Sequence, residues 1–336
     1  MERLAAHEAG WIDGYVTDNT LAGLAEITGK QTVSSRAGSR QGNNKRMLHE
    51  YLERTGLPVI QTETVSRADS LKSSLHRLRE SGFSSGVIKA AIGASGIGMT
   101  KVSSLSDCEN IEDQIPDHFF YEGPCLVQGW LKPGEFGVKQ VRSPSVQLFL
   151  DDESVTQYDL TEQILSQSSV HEGNESPPPY LASEPALKQE LLRQGGIAGS
   201  WLHDQGYRGT ASADFLVGEC DSHTEVYICE INARVTGATY PSVLARNFVP
   251  EGAWLLRNLR FAKPQTGREI LESLKKTDDL YIPGHSEAGI IPVNFNFGQD
   301  GLIHKGQFLC LAHSPAGSHI LLDLAELDLD CEPDRD

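Results

Sequence analysis

The chain has 336 residues, of which 39% are hydrophobic and 22% charged, a composition typical of a globular protein with room for two or three lobes. Its formal net charge of −17 argues against DNA or RNA as the main partner, because phosphate backbones bind to basic surfaces. No apolar run approaches the ~18 residues of a membrane helix, the N-terminus lacks a signal-peptide pattern, and the cysteines include no Cys-x-x-Cys pair. We therefore expect a cytoplasmic protein with reduced thiols that binds no membrane.

The first part of the chain favours helices. A helical pattern around Leu21–Ile27 is followed by residues 34–42, which are rich in glycine, serine and arginine and predict a loop. A helix is predicted over 43–56, because an asparagine can cap it, apolar residues recur at helical spacing and a glycine ends it. A further helix is predicted over 66–80.

Strands dominate the middle of the chain. Residues 86–92 and 99–102 predict two short strands joined by a glycine-rich segment, and residues 125–131 predict a buried strand. Residues 138–150 also predict a strand, with a break at Pro144.

The polar, proline-rich residues 166–180 predict a long loop of the kind that often forms a lid. The elements predicted after it are a helix over 184–205, a strand hairpin ending near Arg234, a helix over 268–276, strands over 289–294 and 306–311, and a frayed acidic tail over 323–336.

The hairpin carries the most informative polar side chains. Segments on both sides of the polar turn 218–223 are rich in β-branched and aromatic residues, so Asp214 and Glu230 are expected to lie near each other on adjacent strands. Asn232 and Arg234 follow Glu230 at intervals of two and share its face of the strand. Three oxygen-bearing side chains beside an arginine favour a Mg²⁺ site that handles phosphate. A solvated polar strand face is the alternative.

A glycine-rich segment begins at Gly93 and has the spacing of a P-loop. However, Met99 stands at the position of the phosphate-binding lysine, and a strand rather than a helix is predicted to follow. We interpret the segment as a flexible loop whose backbone N–H groups fold over phosphates, with Lys89 able to reach a phosphate oxygen. A plain hairpin turn beside a lysine is the alternative.

The order of these motifs resembles the ATP-grasp superfamily of carboxylate–amine ligases over about residues 43–250. The resemblance implies an α+β fold in which two lobes with antiparallel sheets clasp ATP. It divides the chain into an abbreviated N-terminal segment (1–42), a lobe with the lysine helix and glycine-rich loop (43–130) and a lobe with the metal site (131–336). A weaker likeness, in residues 159–165 and 289–293, is to members that build small peptides or natural products.

The resemblance also implies a role for each matching position. Two lysines, Lys45 and Lys89, would hold the ATP phosphates. The loop closing over them would use Gly93, Ser95, Gly96 and Gly98. The adenine edge would be bound by the backbone of a linker formed by Gln128, Gly129, Trp130 and Leu131. Glu135 would bind the ribose hydroxyls. The ligands of Mg²⁺, or of Mn²⁺ as an alternative, would be Asp214, Glu230 and Asn232.

Two departures from the family pattern matter for the chemistry. Peptide-type members often have an arginine two residues before the metal-binding aspartate, whereas this chain has Ser212. Arg234 and Arg208 are the candidate catalytic replacements, and Arg234 is preferred because it shares the strand face of the metal ligands. The family also has a full α/β domain before the lysine helix, which 42 residues are too few to build.

We therefore expect an ATP-dependent ligase that forms an amide from a carboxylate and an amine through an acyl-phosphate. An amino acid or peptide is the expected substrate, and the resemblance points to a homodimer. Two alternatives remain open at this stage: a small-molecule kinase on the same fold, and an ATP-binding regulatory module without chemistry.

Overall fold

The computed structural model of the chain describes residues 1–93, 97–166 and 171–332. Among these residues, no helix is long and apolar enough to cross a membrane. The chain divides into two compact units: Met1–Gln157 with Gln189–Val235, and Tyr158–Lys188 with Thr236–Asp336. These units cut across the boundaries expected at residues 42 and 130, so the three-part division stays a prediction.

The α-helices of the described residues are α1 (Glu2–Ala5), α2 (Asn19–Thr28), α3 (Arg36–Gly42), α4 (Lys45–Arg54), α5 (Leu71–Glu80), α6 (Ile111–Gln114), α7 (Pro185–Asp204), α8 (Thr239–Phe248), α9 (Gly267–Lys276) and α10 (Pro315–Asp328). Short 3₁₀ turns occur at Ala68–Ser70, Asp117–Phe120 and Pro179–Ala182.

The strands of the described residues are β1 (Trp11–Ile12), β2 (Gln31–Thr32), β3 (Thr62–Val65), β4 (Gly86–Lys89), β5 (Met99–Val102), β6 (Cys125–Gly129), β7 (Val138–Arg142), β8 (Pro144–Leu150), β9 (Val155–Leu165), β10 (His171–Ser176), β11 (Gly209–Cys220), β12 (Thr224–Asn232), β13 (Ala253–Gln265), β14 (Gly289–Phe297) and β15 (Ile303–Ala312). The break expected at Pro144 is confirmed, because β7 ends and β8 begins there.

The loop predicted over residues 34–42 is wrong, because most of that segment is helix α3. The side chain of Ser35 accepts the N–H of Gly38 and caps the helix. Gly42 serves close packing rather than flexibility, since a Cβ there would lie 2.7 Å from the Cβ of Ala233. The first unit therefore brings this N-terminal helix against the end of strand β12.

The first unit contains an antiparallel sheet in the order β3-β6-β4-β5, covered by α5. Its core is built from buried aliphatic and aromatic side chains, among them Leu71, Leu75, Ile88 and Val127. The predicted lysine helix is confirmed as α4, which Asn44 caps by accepting the N–H of Met47. This sheet and helix place both predicted phosphate lysines, since Lys45 begins α4 and Lys89 ends β4.

The strands that carry the predicted metal ligands belong to a second sheet of the same unit. Strand β11 pairs with β12 on one side and with β8 and β7 on the other, and all of these pairings are antiparallel. The ladder between β11 and β12 has a β-bulge, because Asp214 lies opposite Glu230 whereas Phe215 lies opposite Ile228. Cys229 is thus the extra residue of the bulged strand.

The second unit is built on antiparallel strands in the order β9-β10-β13-β15-β14, with β9 entering it from the first unit along the chain. The lid loop predicted over 166–180 is wrong for residues 171–176, which form β10 and pair with both β9 and β13. The sequence did not indicate a strand because five of its six residues are polar and the sixth is glycine, although Asn174 is buried. Residues 167–170 lie outside the described residues.

The solvated acidic tail predicted over 323–336 is wrong through residue 331. Helix α10 continues to Asp328, and Leu322, Ala325 and Leu329 are buried in the core of the second unit. Cys331 then forms an isolated β-bridge with Phe261. The apolar positions recur at intervals of three and four, so they stabilise the helix despite its acidic neighbours. Residues 333–336 lie outside the described residues.

Candidate functional site

The predicted metal ligands lie in two cross-strand rows on one face of the second sheet. One row joins Ser145, Asp214 and Glu230, and the row beside it contains Ser212 opposite Asn232. The period of two along each strand places all five side chains on the same face. The expected proximity of Asp214 and Glu230 is therefore confirmed.

Hydrogen bonds hold the Asp214 carboxylate in place. Its Oδ1 accepts from the hydroxyls of Ser145 at 2.6 Å and Ser212 at 3.0 Å, and its Oδ2 accepts from Asn232 Nδ2 at 2.9 Å. Ser212 thus supports the carboxylate directly. Ser145, Ser212 and Asn232 are all buried, so this orientation is fixed before any ligand arrives.

The two carboxylates of the cluster have different electrostatic environments. Burial raises the pKa of Asp214 and the nearby charge of Glu230 raises it further, to about 6. Burial opposes ionisation of Glu230 too, but the charges of Lys45, Lys89 and Arg234 outweigh it and lower the pKa of Glu230. A divalent cation between the two carboxylates would favour the ionised form of both.

Lys45 connects the glycine-rich loop to the carboxylates. Its Nζ lies 3.1 Å from the carbonyl oxygen of Gly93 and 3.0 Å from Glu230 Oε2. Its backbone N–H donates to the Ala91 carbonyl at 2.8 Å, which fixes the start of α4 against the strand that leads into the loop. One ammonium group therefore contacts the first residue of the loop and a predicted metal ligand.

Lys89 is the second predicted phosphate lysine, and it is buried. Its Nζ donates to Gln128 Oε1 at 2.9 Å and lies 3.7 Å from Cys229 Sγ. A buried ammonium with so few oxygen partners favours an anionic ligand. At the end of the loop, Gly98 has a φ of +76°, and its carbonyl accepts the N–H of Ala90 at 2.7 Å. The predicted loop residues Ser95 and Gly96 lie outside the described residues.

The predicted adenine linker runs from the end of β6 into the core. The N–H groups of Gly129 and Trp130 donate to the carbonyls of Gln61 and Ser85 at 3.0 and 3.1 Å, so any adenine contact must use other backbone groups. Leu131 packs in the core, and the amide nitrogen of Gln128 donates to Thr62 Oγ1 at 2.8 Å. Lys101 Nζ lies 4.2 Å from the centroid of the Trp130 ring.

Glu135, the predicted ribose ligand, has one satisfied and one unsatisfied oxygen. Its Oε1 accepts from the hydroxyl and the N–H of Ser84 and lies 3.3 Å from Lys132 Nζ. Its Oε2 is buried and has no hydrogen-bond partner among the described residues. A buried carboxylate oxygen without a donor is costly, and a sugar hydroxyl would supply that donor.

The two candidate arginines have different surroundings. Arg234 Nη2 donates to Asn232 Oδ1 at 2.5 Å, which places its guanidinium beside the carboxylate cluster. The Arg208 guanidinium instead bonds to the carbonyls of His203 and Tyr207 and to Asp152. Those contacts cap the end of helix α7, so the geometry favours Arg234 for catalysis and leaves Arg208 with structural contacts.

Three residues beside the cluster were not anticipated. Asn43 forms two hydrogen bonds with the backbone of Ala233, one in each direction, at 3.0 and 3.1 Å. No sequence pattern around Tyr15 indicates the site, yet its hydroxyl lies 3.0 Å from Arg234 Nη1. The β-bulge brings the Cys229 thiol beside Lys89. A β-bulge changes the pairing of a strand without leaving a clear sequence pattern, so Cys229 could not be found from the sequence.

The donor set fits Mg²⁺ only if phosphate oxygens complete it. Among the described residues, no group of three or more His, Cys, Asp and Glu side chains is placed to hold a metal. Two carboxylates and one amide match the way proteins bind Mg²⁺, through one or two carboxylates together with substrate phosphates. Asn232 now turns Nδ2 toward Asp214 and Glu230, so its amide must make a half-turn before Oδ1 can reach a cation.

The sequence of the chain is similar to that of one curated ligase. No family model matches the chain. Over 203 residues it is 29% identical to the [butirosin acyl-carrier protein]–L-glutamate ligase of Niallia circulans, a match that covers 60% of this chain and 45% of the relative. The chain thus spans less than half the length of that curated relative.

Solved structures match nearly the whole chain. Biotin carboxylase of Campylobacter jejuni, in a β-γ-ATP complex, has a TM-score of 0.69 and 17% identity, covering 97% of this chain and 76% of its own. The biotin carboxylase domain dimer of Hydrogenobacter thermophilus 2-oxoglutarate carboxylase, with magnesium ADP and bicarbonate, has a TM-score of 0.65 and 12% identity, covering 96% and 75%. This likeness shows that the chain has the ATP-grasp fold.

Proposed function

We propose that this ATP-grasp chain is an ATP-dependent ligase that activates a carboxylate as an acyl-phosphate and joins it to an amine. A carboxylate oxygen attacks the γ-phosphorus, the bond to the β-phosphate oxygen breaks, and ADP leaves. The amine nitrogen then attacks the acyl carbon and loses a proton, while phosphate leaves with the electron pair of the C–O bond. The product is an amide.

The observation that carries the proposal is the position of the Lys45 ammonium. It lies 3.1 Å from the Gly93 carbonyl and 3.0 Å from Glu230 Oε2, so the first residue of the glycine-rich loop, a lysine and a carboxylate cluster meet at one place. Pure nucleotide binding does not require the further set of Asp214, Asn232 and Arg234. Phosphoryl transfer does, because it depends on positioning and on charge neutralisation.

Each residue of the cluster has a role in this chemistry. Lys45 and Lys89 hold the phosphate oxygens, and Arg234 binds the negative charge of the acyl-phosphate and of the oxyanion that follows. Mg²⁺, or Mn²⁺ in its place, would be held by Asp214, Glu230 and Asn232 and would neutralise phosphate charge. Arg208 remains a second, less favoured candidate for the anion contact.

The curated relative suggests the substrates. Its name joins L-glutamate to an acyl-carrier protein, so we include L-glutamate and other amino acids or peptides as the carboxylate component. We also include, as a second acceptor, the terminal thiol of an acyl-carrier protein, which would give a thioester by the same acyl-phosphate. The proposal therefore includes a role in natural-product assembly. A homodimer and a cytoplasmic location complete the proposal; light scattering checks the first.

The deciding experiment measures ADP release with Mg-ATP, an amino-acid and peptide panel, and either amines or an acyl-carrier protein as acceptor, with products identified by mass spectrometry. ADP release that requires both components, with an amide or thioester product, supports the ligase. A stable phosphorylated product formed without an acceptor would show a kinase instead. Nucleotide binding without ADP release under every condition would show a regulatory module.

A matched pair of variants tests the site itself. Glu230→Ala is expected to abolish ADP release while leaving the circular dichroism spectrum unchanged, because it removes a metal ligand and the partner of Lys45. Glu225→Ala, on the same strand but bonded to Tyr227, is expected to keep normal turnover. Near-normal activity of Glu230→Ala would contradict the assignment of the metal site.

A further inference from the structure

Tyr15 is an exposed aromatic residue of the N-terminal segment, and it contacts the arginine of the carboxylate cluster. Its side chain is 57% exposed, so core packing does not explain its position. Its hydroxyl accepts from Arg234 Nη1 at 3.0 Å, and the Arg234 guanidinium carbon lies 5.4 Å from the centre of its ring. One residue thus offers this arginine both a hydrogen bond and a cation–π contact.

The remaining contacts of Arg234 show what Tyr15 does to its side chain. Nη1 also donates to the Val235 carbonyl at 3.1 Å, and Nη2 donates to Asn232 Oδ1 at 2.5 Å. These contacts with Tyr15, Val235 and Asn232 use three of the five N–H donors of a guanidinium. Among the described residues, the Nε–H and one Nη2–H are left for a ligand, and the plane of the group is fixed.

The backbone on both sides of Arg234 is held by Tyr15 and by Asn43, two residues near the start of the chain. The N–H of Val235 donates to the Tyr15 carbonyl at 3.1 Å, and Asn43 bonds both backbone polar groups of Ala233. These contacts join positions that lie 190 or more residues apart in sequence. Strand β12 ends at Asn232, so without them the residue that carries the guanidinium would follow a free strand end.

We propose that Tyr15 is a positioning residue that orients the Arg234 guanidinium toward the acyl-phosphate. The inference rests on the proposed ligase function and extends it to residues 1–42, which the resemblance identifies as an abbreviated N-terminal segment. Tyr15 does not touch the reacting atoms in this role. It acts through Arg234, by fixing the guanidinium plane and lowering the entropy that the side chain loses when an oxyanion binds.

The first test compares Tyr15→Phe with the wild-type protein. The variant keeps the ring but loses the hydroxyl that Nη1 donates to, so we expect kcat/KM for the carboxylate to fall about ten-fold. The KM for ATP is expected to stay unchanged, because Tyr15 does not contact Lys45 or Lys89. Tyr121→Phe is the matched control, since Tyr121 is 77% exposed and should behave as wild type.

A double-mutant cycle with Arg234→Lys separates positioning from a general structural effect. If Tyr15 acts through the guanidinium, Tyr15→Phe has little further effect in the Arg234→Lys background. An equal loss in both backgrounds, or a fall in melting temperature that accounts for the lost activity, would overturn the proposal. So would unchanged kinetics in Tyr15→Phe alone.

A spectroscopic readout keeps this test independent of the proposed reaction. The Arg234 side-chain NMR signal, assigned with Arg234→Lys, is expected to show slow guanidinium rotation in the wild type and faster rotation in Tyr15→Phe. Equal rotation in both proteins would refute positioning even in an active enzyme. Absence of turnover in the wild type would refute the ligase proposal while leaving this measurement meaningful.

Discussion

The metal-free wild-type protein should lose stability between acid and neutral pH because of Asp214. Replacing Asp214 by Asn should remove that loss. Asparagine keeps the shape of the side chain but cannot ionise. Burial and the charge of Glu230 raise the pKa of Asp214 from 3.8 to about 6 in the folded protein. The folded state therefore holds a proton that the unfolded state releases, and the stability that this proton provides is lost as the pH rises through 6.

The size of the effect follows from the two pKa values. With a folded value of about 6 and an unfolded value of 3.8, linkage gives the wild type roughly 1 kcal/mol more stability at about pH 5 than at about pH 7.5 from this group. The variant lacks this contribution. It also loses part of its hydrogen bonding with Asn232, but that loss does not depend on pH and cancels when the two pH values are compared.

Urea unfolding in EDTA, on both proteins at both pH values, measures this difference. We expect the free energy of unfolding of the wild type, relative to Asp214→Asn, to fall by roughly 1 kcal/mol from about pH 5 to about pH 7.5. In a parallel series with Mg-ATP in place of EDTA, the change with pH should be smaller, because a cation stabilises the ionised carboxylate. A difference that stays constant with pH, or one that grows toward neutral pH, would refute the electrostatic reasoning.

Three further variants test other parts of the site. Lys45→Met should raise the calorimetric dissociation constant of Mg-ATP at least about ten-fold because a phosphate contact is lost; the exposed Lys188→Met is the control, and equal affinity in both variants would contradict the role. Glu135→Ala should raise the KM for ATP but not for dideoxy-ATP, which lacks the ribose hydroxyls; equal effects on both nucleotides would exclude ribose binding. Asn43→Ala should lower the free energy of unfolding by about 2 kcal/mol, since the backbone of Ala233 loses two hydrogen bonds, and an unchanged urea midpoint would count against this.

The hairpin could be predicted from the sequence because its chemistry is local. Alternation along each strand and a polar turn were enough to place Asp214 opposite Glu230 and Asn232 on the same face. The same local reasoning did not find the β-bulge at Cys229, since an extra residue in a strand changes pairing without changing composition. The thiol beside Lys89 could therefore be seen only in the structure.

The contacts of Tyr15 and Asn43 could not be predicted, because they depend on tertiary structure. Tyr15 and Asn43 bond to residues 219 and 190 positions away, and nothing in their own neighbourhood indicates those partners. Composition also gave two wrong predictions, a loop where the chain forms a helix and a loop where it forms a strand. Residues 34–42 pack as a helix because small side chains permit close approach, and β10 is a polar strand held between two neighbours.

The pairing of Lys45 with Glu230 has a consequence for the order in which ligands bind. A metal ion that binds alone at Glu230 would displace the Lys45 ammonium and leave two positive charges close together. A nucleotide that binds without metal would draw Lys45 away and leave the Glu230 carboxylate close to the negative phosphates. Each case is unfavourable because like charges repel. The combined metal–nucleotide complex satisfies both charges at once. Metal and nucleotide should therefore bind with positive cooperativity, each raising the affinity of the other by the same factor. We expect such a site to bind phosphate compounds that carry no cation more weakly than their metal complexes.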